Sequence, residues 1–203
     1  MVTTMKRATK PSKYAEGTIH QTHCGPIEVL KFYPRTDKRS PRADIRYLET
    51  GTLQNVQVGN IPGNKIWDCR KPSVYGVGYL DSYVAVPKRG CNSTYRRAYD
   101  LWCNMLKRVY HKSQEKYYGD VEVDVRWHSF KNFWNSLEDL PGYEDWVNQK
   151  YPRMSLDKDI RVPGSRVYSK DTCSFVSHAE NTRAACKKRW DNELKRLGVQ
   201  QTA

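Results

Sequence analysis

Five side chains able to handle a phosphate group or its counter-ion crowd into residues 154–181, MSLDKDIRVPGSRVYSKDTCSFVSHAEN. Asp157 and Asp159 offer hard carboxylate oxygens, and His178, Glu180 and Asn181 follow further along. Carboxylates of this kind suit Mg²⁺ or Mn²⁺, and such a cation over a phosphodiester polarises it and activates water. A neutral imidazole is the usual general base at pH 7. Lys158 stands between the two aspartates. An unperturbed lysine, at about 10.4, is protonated at pH 7, so it serves as a base only where burial or positive charge lowers that value by several units. The flanking aspartates favour the charged form instead.

The elements that must position these residues are legible nearby. A short strand pattern ends at Leu156-Asp157-Lys158-Asp159, Pro163-Gly164 makes a turn, and a second strand covers residues 173–176. Ser177 with Glu180 three residues on is the capping-box signature of a helix start. The helix runs to about residue 197 and carries Arg183, Lys187, Lys188 and Arg189. Strand, turn, strand and helix make a ββα unit that gathers Asp157, Asp159, His178, Glu180 and Asn181 between a strand end and the first helical turn.

The chain has 203 residues, with 35 Lys+Arg against 22 Asp+Glu and a formal charge of +13. Such an excess repels itself, and a polyanionic partner, nucleic acid, is its direct explanation. Fourteen tyrosines and six tryptophans supply real cores, which excludes a disordered basic protein. Further basic clusters lie at Arg35, Lys38, Arg39 and Arg42, beside Tyr33 and Pro34, and at Arg96 and Arg97 on a helix. All are candidate phosphate contacts. The six cysteines contain no C-x-x-C pair, and nothing completes a ligand set around His20-x-x-His23-Cys24. Neither structural zinc nor a disulfide framework is expected. Without a signal peptide the thiols are expected to be reduced, and no apolar run is long enough to span a membrane.

The expected fold class is α+β. Residues 1–15 read as a basic arm. Residues 16–68 form a small β domain, a bent sheet or barrel, with alternating strands over 27–33, 43–48 and 53–58. Residues 69–92 read as a linker, with glycine alternating with aromatic and aliphatic residues. Residues 93–203 form a helical domain ending in the ββα unit. Tyr95, Ala98, Trp102, Met105, Leu106 and Val109 recur at helical spacing, and Phe130, Phe133, Trp134 and Leu137 mark a second helix over about 129–140. Trp102, Phe133 and Trp134 are therefore expected in the core.

The string Trp102, Lys107-Arg108-Val109-Tyr110, Val125-Arg126-Trp127, Leu156-Asp157-Lys158-Asp159, Tyr168-Ser169, Cys173-Ser174-Phe175 and Glu180-Asn181 resembles bacteriophage proteins related to HNH homing endonucleases. The stretch from Gly51 to Gly78 resembles the domain that often precedes it. The resemblance implies a phage-encoded, DNA-binding protein in the cytoplasm of an infected bacterial host. It implies one divalent cation, Mg²⁺ or Mn²⁺, held by Asp157, Asp159 and Asn181, with Asp157, Lys158 and His178 at catalytic positions. Lys158 falls where the family has its histidine base, and Asp171 or Thr172 falls near its asparagine. Either the base comes from elsewhere, with His178 and His128 as candidates, or cleavage is lost and the unit docks DNA. A host-takeover protein that binds a host protein, or blocks a nucleic-acid enzyme, is the alternative.

Overall fold

The computed structural model describes residues 13–150 and 154–197. The architecture is α+β. Two compact units meet between Lys71 and Pro72. Most of the basic arm expected over 1–15 lies outside the described residues.

The first unit is an antiparallel meander of β1 (Ile19–Thr22), β2 (Gly25–Tyr33), β3 (Arg42–Tyr47) and β4 (Leu53–Gln57), in the order β1-β2-β3-β4. Successive side chains of a strand point to opposite faces. Ile27, Val29, Ala43, Ile45, Tyr47 and Val56 accordingly fall on one face and are buried. Cross-strand pairs Ile27–Tyr47, Val29–Ile45 and Ala43–Val56 hold the register. Ile61, Ile66, Tyr14 and Cys24 join the same core. The other face is polar, with Arg46 on Glu28 at 2.5 Å and the Tyr33 hydroxyl donating to Asp44 at 2.7 Å. A bulge between Val29 and Lys31 turns Leu30 outward and bends β2. The sheet ends at β1 and β4, so the bent sheet is the form taken and a closed barrel is not.

The second unit is built around α1 (Thr94–Tyr110), α2 (Glu115–Tyr118), β5 (Glu122–Val123), α3 (Phe130–Ser136) and α4 (Tyr143–Val147). It is completed by β6 (Met154–Asp157), β7 (Val167–Tyr168), β8 (Ser174–Ser177) and α5 (His178–Arg196). Ser93 caps α1 by accepting from the Arg96 amide at 3.2 Å, and Ser129 caps α3 by accepting from the Asn132 amide at 3.2 Å. Ala98, Trp102, Met105 and Leu106 of α1 pack with Trp127, Phe130, Phe133, Leu137 and Trp146. Trp102 is fully buried, and its indole N–H donates to the Trp127 carbonyl at 2.7 Å. Phe133 is buried and Trp134 is half-buried against the same cluster.

The stretch 69–92 differs from the expected linker. Val74, Val77 and Leu80 pack on the second core, and the Tyr79 amide donates to the His128 carbonyl at 3.0 Å. A Cβ at Gly78 would stand 2.9 Å from the Trp102 ring and 2.5 Å from Leu106. Gly78 therefore marks close packing against α1, whereas Gly76 takes φ +79° in open space and serves the turn. Helix α4 follows the expected stop at Pro141-Gly142 because Gly142 takes φ +80° and a new turn begins.

Strands β6 and β8 pair antiparallel, Asp157 opposite Ser174 and Met154 opposite Ser177, and α5 packs on both. The ββα order is thus present. Between its strands, β7 leaves to pair in parallel with β5.

Candidate functional site

The end of β6 is locked by its own polar groups. The Asp157 Oδ1 accepts from the Asp159 and Ile160 amides, each at 2.8 Å, so the chain turns sharply at the strand end. The turn lays residues 159–164 alongside α5. On α5 the capping box is complete. Ser177 Oγ accepts from the Glu180 amide at 3.2 Å, and Glu180 accepts from the Ser177 amide at 2.8 Å. That backbone bond holds the Glu180 carboxyl below its ordinary range.

Between this turn and α5 lies a cleft of about 670 Å³. Of the five residues expected to gather here, Asp157, Asp159 and Asn181 line it, joined by Lys187 and Lys188, while His178 and Glu180 do not. Asp191, Asn192 and Lys195 also line it and escaped the sequence reading. The signal was available: 181, 184, 188, 191, 192 and 195 recur at three- and four-residue intervals and share one side of a helix. The turn wall thus carries Asp157 and Asp159, and the α5 wall carries three lysines with Asp191 and two asparagines among them. Two carboxylates and a carboxamide are a donor set that suits Mg²⁺, which takes one or two carboxylates and completes its shell with water and phosphate oxygens. Among the described residues no three His, Cys, Asp or Glu side chains gather as a ready metal cage.

Other residues from the sequence reading stand elsewhere. Lys158 does not line the cleft. Its side chain is 8% exposed, donating to Asp159 at 2.9 Å and to the Ser165 carbonyl at 2.8 Å, and it lies 5.7 Å from the Tyr168 ring centre. The ammonium therefore staples the 158–165 turn and is not presented to a substrate. Lys158 stands one residue past β6, in the turn, and its bond to the Ser165 carbonyl holds its side chain off the cleft wall. His178 is exposed at the first position of α5 and is absent from the cleft wall. His128 is half-buried at the end of a 3-10 turn, with its Nε2 2.9 Å from the Tyr110 hydroxyl, and burial lowers its pKa. It does not line the cleft either. Thr172 bolts its own turn by donating to the Val167 carbonyl at 2.7 Å, and Asp171 points to solvent. No imidazole or amide thus stands where the resemblance expects a base and its orienting partner.

The basic residues divide similarly. Arg35, Lys38 and Arg39 are exposed on the tip joining β2 to β3. Arg42 is half-buried on the sheet, bonded to the Asn55 side chain and to its carbonyl at 3.0 Å. Arg96 forms a fork on Asp100 and also reaches the Pro87 carbonyl at 3.2 Å. Arg97 lies 4.6 Å from the Trp146 ring centre and donates to the Trp146 and Val147 carbonyls at the end of α4. Arg96 and Arg97 therefore differ from the expected phosphate contacts in that each already donates to intramolecular partners. Arg183, Lys187, Lys188 and Arg189 are exposed on α5.

The six cysteines are free thiols, with Cys24, Cys69 and Cys173 buried. Among the described residues no helix is long and apolar enough to cross a membrane. The chain matches no protein-family model, no curated protein and no solved structure at a significant level. Its chemistry must therefore be argued from the cleft and the surface alone.

Proposed function

We propose that this chain is a phage-encoded nucleic-acid-binding protein of the HNH-endonuclease type, with duplex DNA as its main partner and with cleavage weak or lost. The site of action on this reading is the cytoplasm of an infected bacterium. The observation that carries the proposal is the cleft beside α5, where Asp157 and Asp159 at the turn face Asn181, Lys187, Lys188, Asp191 and Lys195 on the helix, and no histidine among the described residues lines it. The lysines supply the attraction a phosphate needs. Carboxylates alone would repel that phosphate, so Asp157 and Asp159 favour a cleft in which Mg²⁺ or Mn²⁺ bridges acid and phosphate. Such a cation would polarise the phosphodiester. Positioned proton transfer contributes roughly 10²–10⁴-fold, and among the described residues no histidine lines the cleft to supply it.

Incubation of the full chain with supercoiled plasmid and Mg²⁺ or Mn²⁺, against an EDTA control, tests this. Retarded plasmid with little or no nicking is the expected outcome. Any nicking should vanish with EDTA and in Asp157→Ala. Rapid cleavage that survives both would place the chemistry elsewhere. Failure of plain duplex DNA to bind at low salt would favour an acidic protein partner instead.

A further inference from the structure

Helix α5 has two unlike sides, and only one belongs to the cleft. At 3.6 residues per turn, Asn181, Ala184, Lys188, Asp191 and Asn192 face the 158–164 turn. The opposite side presents Trp190, which is 69% exposed, in a shallow depression with Cys186, Arg189 and Glu193. Trp190 stands apart from the other tryptophans. Trp102, Trp127 and Trp146 are buried at 0%, 3% and 6%, Trp134 is half-buried, and Trp67 is 37% exposed. No residue of α5 is fully buried, so the second core does not explain the indole.

We propose that Trp190 is a stacking anchor for an unpaired base, and that the outer side of α5 binds single-stranded nucleic acid. This rests on the nucleic-acid reading of the protein and names the form of the ligand at α5. Three observations carry it. The first is charge: with Lys187, Lys188, Lys195 and Asp191 given to the cleft, the rest of α5 holds Arg183, Arg189 and Arg196 against Glu180 and Glu193, and Arg183 and Arg189 lie within two turns of Trp190. A cationic helix around an exposed indole fits a backbone that is anionic and bases that are aromatic. A second copy of α5 would set like charges against each other. The second is the side-chain inventory. Both asparagines of α5, Asn181 and Asn192, line the cleft, so the outer side lacks the amides that read base edges in a duplex groove. The third is geometry. An indole binds the face of a base, and that face opens only where the base is unpaired and unstacked. Phosphates would run along Arg183 and Arg189 while one base lies on Trp190.

The test uses the full chain with a short fluorescein-labelled oligothymidylate and, separately, a duplex of equal length, in the wild type, Trp190→Ala and Trp190→Phe. Trp190→Ala should weaken oligothymidylate binding by about 5- to 150-fold, the range for loss of one stacked base. Trp190→Phe should recover most of that loss, and duplex affinity should hardly change. Melting temperatures should match, because Trp190 belongs to neither core cluster. Equal loss for both nucleic acids, or no loss for the single strand, overturns the stacking role and leaves the nucleic-acid reading standing. A wild type that binds neither form overturns both. A wild-type dimer that Trp190→Ala turns into a monomer would assign this side to a second copy and overturn the proposal.

Discussion

Lys158 shows how one residue can occupy a catalytic position in sequence and a structural one in space. Its ammonium ties Asp159 to the Ser165 carbonyl across the turn that forms one wall of the cleft. Removing it leaves that carbonyl without its charged donor and frees the turn. Lys158→Met should lower stability by about 1–3 kcal/mol, the usual cost of a charged hydrogen bond with a partly buried partner, as read from urea unfolding. The same placement bears on Lys158→His. An imidazole there would sit against Tyr168 on the side away from the cleft, so metal-dependent nicking should not rise. Unchanged stability in Lys158→Met, together with a gain of nicking in Lys158→His, would show that the side chain reaches the cleft. In the sequence, the aspartates on either side predicted that lysine stays charged. They could not tell which side of the strand it would take, because the strand ends one residue earlier, at Asp157, and alternation stops at the turn.

At the scale of elements, local signals were informative where periodicity or a cap is strong. The Ser177–Glu180 box begins a helix at the expected residue, and the two helices read from periodicity begin behind Ser93 and Ser129, whose caps the spacing alone did not name. The alternation of residues 43–47 predicts the buried face of β3, Ala43, Ile45 and Tyr47. What escaped is long-range. Strand β7 is two residues long and exists only because β5 pairs with it from more than forty positions earlier. Residues 74–80 carry no period, so their packing on α1 cannot be read from spacing, and glycine there looked like linker composition. Gly78 tests the difference. Alanine in a linker would be neutral or slightly stabilising. Here its methyl would push into Trp102 and Leu106, so Gly78→Ala should lower stability by about 1–3 kcal/mol, the cost of overpacking. Thermal melts of wild type and variant decide between the two readings, and the Trp102 environment should shift in near-ultraviolet circular dichroism.

At the scale of the whole molecule, the positive charge is shared by both units. Residues 1–71 hold 13 of the Lys and Arg and 6 of the Asp and Glu, a net +7, which leaves +6 for residues 72–203. Within the second unit, several acids are drawn into ion pairs: Arg166–Asp120 at 2.6 Å, Lys170–Asp139 at 2.7 Å, Lys150–Asp145 at 3.1 Å and, on α5 itself, Arg196–Glu193 at 2.7 Å. Exposed cations on the β2–β3 tip and on α5 are among those left for a polyanion. If about five phosphates are contacted, log K for duplex DNA should fall with log salt at a slope near −4 to −5. The slope also separates surface cations from structural ones. Lys187→Ala and Lys188→Ala should each reduce it by about 1 and weaken binding alike for all sequences. Arg97→Ala should leave it unchanged, because that guanidinium already serves the Trp146 and Val147 carbonyls, and should instead lower the melting temperature. Titrations of the full chain across a series of salt concentrations measure all three. A slope that responds to Arg97 and ignores Lys187 and Lys188 would move the nucleic-acid surface from α5 to the start of α1.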